Sequence, residues 1–300
     1  MAVADADGEV VASAGDPAVV AFARSAMKPL QAAVSLSLAG EGIPDQEVAV
    51  ACASHNGEDV HVRTVGSLLA RADLGFDDLR TPPSLPLDQA AARGLPEPRP
   101  QFHNCSGKHA GMLVASARRG LDLHTYPVPD HPLQREVLAA VVLAAGREPE
   151  AVGIDGCGVP VHALPLASMA ALYARLGRPE RLGELEPFAR RAVVAMGAHP
   201  YLVAGRDRVC TALMESAPGV VAKAGAEGLI CAAVPARGLG IAAKVGDGSS
   251  RAADPALLRA LSLLEAIDDE ALGRLERFAR PPVLGGGRRV GDLVADFEFA

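Results

Sequence analysis

Three groups of residues in this chain are of types that do chemistry when they are brought together. The first is Ser25-Ala-Met-Lys28. Side chains three positions apart on a helix share a face, so a serine hydroxyl and a lysine amine can meet there. Serine is a weak nucleophile until a base takes its proton, and lysine becomes a base when burial or nearby positive charge lowers its pKa. A helix beginning near Ser25 adds free N–H groups for an oxyanion and favours negative charge at that end. Taken alone, the same four residues more often mean an N-cap serine and a solvated lysine.

The second group is Lys223-Ala-Gly225, inside VVAKAGAEGLICAAV, which has the texture of a strand. A lysine followed by a small residue and a glycine lets backbone pass close to a substrate while presenting an amine. The plain alternative is an edge-strand lysine that discourages aggregation. Order and distance sharpen the reading. S-x-x-K near the start, Ser54-His55-Asn56 as an S-x-N element, and K-x-G on a late strand resemble the layout of serine β-lactamases and penicillin-binding proteins.

The third group is Asn104-Cys105-Ser106-Gly107-Lys108-His109 together with Gly153-Ile-Asp155-Gly156-Cys157-Gly158. Thiolates suit zinc, but an ordinary structural site takes four ligands, and Cys105, Cys157 and His109 leave the set one short. Two buried thiols beside an N-cap asparagine would account for the pattern without a metal. His131, before Pro132, reads as a helix cap, and His124, His162 and His199 as structural. Lys244 and Asp247–Ser250 form a strand end and turn. Gly285–Gly287 is a loose turn, with no phosphate-binding loop pattern around it.

The elements that must position these residues follow from periodicity and breakers. Residues 1–13 read as a hairpin, AVAD and EVVASA around Asp5–Gly8. Pro29 is tolerated only in a first helical turn, so a helix starts near Ser25. VAVACAS (48–54) is a buried strand or short helix, and 61–72 is an amphipathic helix. Residues 81–100, with six prolines, form an irregular loop. Helices are expected at about 107–119, 131–146, 163–176 and 183–197, and strands from 219 onward around one helix at 254–266. VGDLVADF is taken as the last strand. The chain therefore reads as one α+β domain, residues 1–300, with an antiparallel sheet built from both termini and a helical insertion. Its sheet lobe spans about 1–24 and 205–300, its helical lobe about 25–204. A cleft between them is the natural site.

Composition bounds the function. The chain is 49% hydrophobic and 22% charged, with a net charge of −7 and no Lys/Arg run longer than two, so nucleic-acid binding is excluded as the main role. Aromatics are scarce, which disfavours carbohydrate or single-strand stacking and leaves a core of Ala, Val and Leu. No long apolar span or basic-then-apolar leader is present, so a cytoplasmic protein is expected. Five widely spaced cysteines read as reduced thiols.

RSAMKPLQ (24–31), CASHNGE (52–58), HNCSGKHAGML (103–113), DHPLQREV (130–137), GIDGCGVPVHALPL (153–166) and KAGAEG (223–228) together resemble the thermolabile-type bacterial L-asparaginases. The resemblance implies a fold similar to serine β-lactamases and glutaminases, a homodimer, and hydrolysis of the L-asparagine side-chain amide. It pairs Ser25 with Lys28 and Ser54 with Lys223, with Ser25 favoured as the acylated residue. It puts a zinc between Cys105, Lys108 and Cys157, with Lys108 neutral and water completing the shell. Arg24, His109, Asp155 and Cys210 match positions near the substrate, and Arg24 is expected on its α-carboxylate and Asp155 on its α-ammonium. Family chains usually begin about a strand earlier, so an unpaired sheet edge is expected beside Ala2–Asp5. The competing readings are a glutaminase or β-lactamase-like serine hydrolase, and a zinc-binding relative without turnover.

Overall fold

The computed structural model describes all 300 residues, Met1–Ala300. The expected hairpin forms from β1 (Ala2–Asp5) and β2 (Val10–Ser13). One Asp5 carboxylate oxygen closes its turn by accepting from the N–H groups of Asp7, Gly8 and Glu9. Strand β3 (Val20–Phe22) then leads into a 3₁₀ turn over Arg24–Met27 and helix α1 (Lys28–Ala39). Pro29 is the second residue of α1, where its missing N–H removes no helical bond. The α-helix thus begins three residues later than expected, and Ser25 sits in the tighter turn ahead of it.

The helical middle comprises α2 (Asp45–Ala51), α3 (Asp59–Ala70), α4 (Gln89–Ala92), α5 (Ser106–Arg118) and α6 (Pro132–Ala145). Strands β4 (Ala151–Ile154) and β5 (Pro160–Pro165) follow, then α7 (Leu166–Gly177), α8 (Glu186–Ala198), α9 (Pro200–Val203) and α10 (Val209–Ser216). The chain ends through β6 (Val221–Ala224), β7 (Leu229–Val234), β8 (Leu239–Lys244), α11 (Ser250–Leu263), α12 (Asp269–Arg274), α13 (Glu276–Ala279), β9 (Pro282–Gly285) and β10 (Arg288–Asp292).

The main sheet is antiparallel throughout, in the order β2-β1-β8-β7-β6. The pairing of β1 with β8 stitches the N-terminal hairpin to the late strands. Every residue of β7 is buried, so both faces of the sheet are covered. Helix α7 packs on β1, β7 and β8, and α11 on β7 and β8. Helix α1 packs on α5, α6 and α8. Alanines at most of these crossings let the elements approach closely, and the core is the Ala, Val and Leu assembly that the composition implies.

Two features depart from the sequence reading, and at 48–54 the short-helix alternative forms. A second sheet, β3-β5-β4, links residues 20–22 to 151–165. Its strand β5 takes residues that helical periodicity assigned to a helix from 163, because a strand buried along its whole length shows no alternation. The 48–54 stretch resolves as the end of α2 and the chain leaving it. In VGDLVADF only the first residues are a strand; β10 pairs with β9 in a separate ribbon rather than joining the main sheet. Ala300 instead exchanges backbone bonds with Ser13 of the edge strand β2. No helix is long and apolar enough to cross a membrane.

Candidate active site

Ser54 lies just past the end of α2, in an extended segment clamped from two sides. Its N–H donates to Val203 O (3.0 Å), the Asn56 N–H to Ala204 O (2.9 Å), and the His55 N–H to Asn104 O (3.3 Å). The Ser54 hydroxyl is buried. Two lysines from opposite ends of the chain reach it. Lys28 Nζ, from the first turn of α1, is 2.9 Å from Ser54 Oγ, and Lys223 Nζ, from β6, is 2.8 Å from it.

The hydrogen-bond inventory separates the two amines. Lys28 has three acceptors, Ala53 O (2.7 Å), Ser54 Oγ (2.9 Å) and Asn104 O (3.3 Å), which match the three N–H bonds of an ammonium. Lys223 has only Ser54 Oγ and its neighbour's carbonyl, Ala224 O (2.7 Å). A neutral amine satisfies that set, donating to Ala224 O and accepting the Ser54 proton. Burial lowers both lysines, and the nearby Lys28 charge helps bring Lys223 down to about 7. Two ammonium groups on one buried hydroxyl would repel, so Lys223 is the one that gives up its proton.

Ser25, half-buried in the 3₁₀ turn, has no side-chain hydrogen bond, and Lys28 donates to Ser54 rather than to it. The expected Ser25–Lys28 pair is therefore not a hydrogen-bonded one here. The α-helix starts three residues after Ser25, and the Lys28 stem runs into the core. The residue before Ser25 is strained: Arg24 has φ +46°, a left-handed conformation that a long side chain adopts only when its surroundings hold it. Its holders are Asp155 (2.8 Å) and Glu227 (2.6 Å), the latter at the tip of the β6–β7 hairpin. The Asp155 carboxyl is pushed up by burial, but the Gly156 N–H, Lys108 and Arg24 outweigh that and leave it below its ordinary range.

Beside this centre lies the thiol cluster. Lys108 Nζ donates to Cys157 Sγ at 3.0 Å, and Cys105, Lys108 and Cys157 are all buried. Gly107 makes the cluster possible, because a Cβ there would collide with the Val50 carbonyl; only glycine lets α5 press against α2. The Cys105 thiol falls well below its usual range, chiefly through the Cys157 sulfur, against burial and with help from Lys28 and Lys108. For Lys108, burial alone would lower the pKa, yet Cys157 and Cys105 raise it. His109 Nδ1 takes the Tyr126 hydroxyl at 2.6 Å, while its Nε2 is buried without a partner. Burial brings the His109 ring down to about 4, so it is neutral.

No group of three His, Cys, Asp or Glu side chains is arranged to hold a metal. Two thiols and the Lys108 amine converge, however, and that donor set suits zinc if the lysine is deprotonated.

Cys210 accepts the Ala224 N–H at 3.2 Å, steadying the strand residue next to Lys223. Asn104 O on Lys28, Glu227 on Arg24 and Tyr126 on His109 were not singled out by residue type. Their signal was membership of the HNCSGKH and KAGAEG blocks, or, for Tyr126, none. Two hollows lie away from this centre: one of about 490 Å³ beside Leu176, Val194 and Pro218, and one of about 370 Å³ beside Val34, Leu143 and Phe188.

Comparison with known proteins agrees with this arrangement at the level of family. A β-lactamase from Mycobacterium bovis is similar in structure at 19% identity and a TM-score of 0.45, over 89% of this chain and 94% of that one. A likeness that loose carries no argument about function. No curated protein matched the chain. The family model described as L-asparaginase II matches residues 1–295, nearly the whole length and every residue of the centre described above. The chain belongs to the L-asparaginase II family of amidohydrolases.

Proposed function

We propose that the chain hydrolyses the side-chain amide of L-asparagine to L-aspartate and ammonia through an acyl-enzyme, with Ser25 acylated and Lys28, Ser54 and Lys223 as its proton machinery. The observation that carries this reading is the Ser54 hydroxyl held between Lys28 and Lys223 at 2.9 and 2.8 Å. A buried hydroxyl between an ammonium and a neutral amine is suited to relay protons. Ser25 is the half-exposed hydroxyl without a partner, on a strained turn that presents it. It attacks the amide carbon, its proton passes to the Lys–Ser–Lys unit, and a proton returns to departing ammonia. Water then repeats the sequence to release aspartate. A second reading, in which Ser54 itself is acylated, is favoured by its hydrogen bond to the amine at pKa about 7.

By resemblance, Cys105, Lys108 and Cys157 would hold zinc, which would shape the pocket by fixing these side chains. The homodimer is likewise carried by resemblance, and the exposed edge strand β4, with Val152 and Ile154 outward, offers it an apolar surface. The deciding experiment traps the enzyme with a diazoketone analogue of asparagine and maps the adduct by mass spectrometry. The adduct is expected on the Ser25 peptide. An adduct at Ser54 selects the second reading, and ammonia release with no adduct at either serine would sink the covalent mechanism.

A further inference from the structure

The turn that presents Ser25 is held at both ends by one continuous stretch of chain. Before the turn, β3 pairs with β5, Val20 opposite Pro165 and Phe22 opposite Ala163. That ladder runs one residue further, the Ala23 N–H donating to His162 O at 2.9 Å. After the turn, the Tyr173 hydroxyl donates to the Ala26 carbonyl at 2.6 Å. Tyr173 lies on α7, which follows β5 without a break. Only Arg24 and Ser25 lie between the two anchors.

The second anchor fills a gap that the sequence opens. In a 3₁₀ turn each carbonyl accepts from the N–H three residues on. Ala23 O is served in this way by Ala26, and Ser25 O by Lys28. The residue placed to serve Ala26 O is Pro29, which has no N–H to give. The Tyr173 hydroxyl takes that role. It makes no other hydrogen bond, and Tyr173 is only 2% exposed, so bulk water is not at hand to replace it. The tyrosine is also fixed in depth. Helix α7 is pressed onto β8 at Gly240, where a Cβ would run into Ala170 O, Ala174 N and the Tyr173 carbonyl carbon.

We infer that Tyr173 is a positioning residue for Ser25, holding its turn against α7 and so against the sheet whose strand β6 carries Lys223. The inference rests on the acyl-enzyme reading with Ser25 acylated. Lys28, Ser54 and Lys223 bond to one another and to backbone carbonyls, and none of them bonds to Tyr173. Loss of the hydroxyl should therefore move the nucleophile and leave the proton relay in place.

The test is Tyr173→Phe, which keeps the ring and removes only the donor. It is expected to lower kcat for asparagine about 10- to 100-fold, with KM changed less than about twofold and the pH midpoint of kcat/KM unmoved. Labelling of the Ser25 peptide by a diazoketone analogue of asparagine should slow by the same factor. Adding Pro29→Ala supplies an N–H three residues beyond Ala26, and should recover about fivefold or more of the lost kcat. A tyrosine that merely supported the core would show no such rescue. A kcat within about twofold of wild type, or a loss that Pro29→Ala does not relieve, overturns the inference.

If Tyr173→Phe does not fold alone, the double variant is set against Pro29→Ala. Agreement within about threefold is then expected, and a larger deficit overturns the inference. A wild-type adduct on Ser54 sinks the acylation of Ser25 only: loss of kcat with rescue still keeps Tyr173 as the residue that places Ser25, and loss without rescue removes it. If the wild type releases no ammonia, the hydrolase reading fails, and labelling of Ser25 by a fluorophosphonate carries the comparison. Slower labelling relieved by Pro29→Ala keeps the inference, and equal rates overturn it.

Discussion

Three buried lysines stand within one site, and two of its corners treat them in opposite ways. At Ser54 the partners are a hydroxyl, carbonyls and a second lysine, and Lys223 is lowered to about 7. At the thiol cluster the partners are Cys105 and Cys157, and Lys108 is raised despite equally complete burial. Burial is common to both corners, so it cannot be what distinguishes them. The neighbours decide: neutral acceptors leave an amine ready to take a proton, and the two sulfurs beside Lys108 make it keep one.

The comparison breaks first at the level of activity. Lys223→Ala should reduce ammonia release from asparagine by about 10³- to 10⁴-fold, the contribution of a positioned base. Activity near wild type in that variant would end the assignment of Lys223 as the base. The pH profile sharpens the same point. Because Lys223 must be neutral, kcat/KM should rise with pH and level off above about 7. Replacing Lys28 with Met removes a charge that holds Lys223 down, so whatever activity survives should show its midpoint at higher pH.

Stability runs in a linked direction. A lysine lowered from 10.5 to about 7 binds fewer protons folded than unfolded between those values. Its penalty is therefore full below pH 7 and is relieved as pH climbs toward 10.5.

Next in size are two stability effects, both read by chemical denaturation in a chelator. Lys108→Met leaves the low-pKa Cys105 thiol and the neighbouring Cys157 sulfur without their cation and should cost about 3–5 kcal/mol. Lys223→Met, by contrast, should be neutral or stabilising, because it removes a buried amine that has no anion beside it. Matching losses in the two variants would show that the corners do not differ. Gly107→Ala, which drives a methyl into the Val50 carbonyl, should cost about 1–3 kcal/mol and weaken both corners together, since it parts α5 from α2. Smallest is Glu227→Gln. Glu227 is 62% exposed, and losing its pair with Arg24 should change stability by less than about 1 kcal/mol.

Much of this was legible in the sequence, and the parts that were not have physical reasons. The N-terminal hairpin, the late strands and most helices follow from periodicity and turn residues. The β3-β5-β4 sheet does not, because β5 is buried on both sides and β3 has three residues. The residue types of the centre were readable as motifs, but which lysine meets which serine was not. S-x-x-K puts Ser25 and Lys28 on one face, but the Lys28 stem runs into the core, where Ser54 Oγ and two backbone carbonyls take its amine. Arg24 and Asp155 had the right charges for a zwitterion, yet 131 residues of separation hid that they bond each other.

Ser54 and Lys223 are 169 residues apart along the chain. Their meeting requires the late hairpin to dock on strands made at the very beginning of synthesis. A nascent polypeptide that has emerged only through α10 already carries Ser25, Lys28 and Ser54, but it lacks Lys223, the neutral amine beside Ser54. Hydrolysis is thereby tied to completion of the sheet, and turnover doubles as a readout that both ends have found each other.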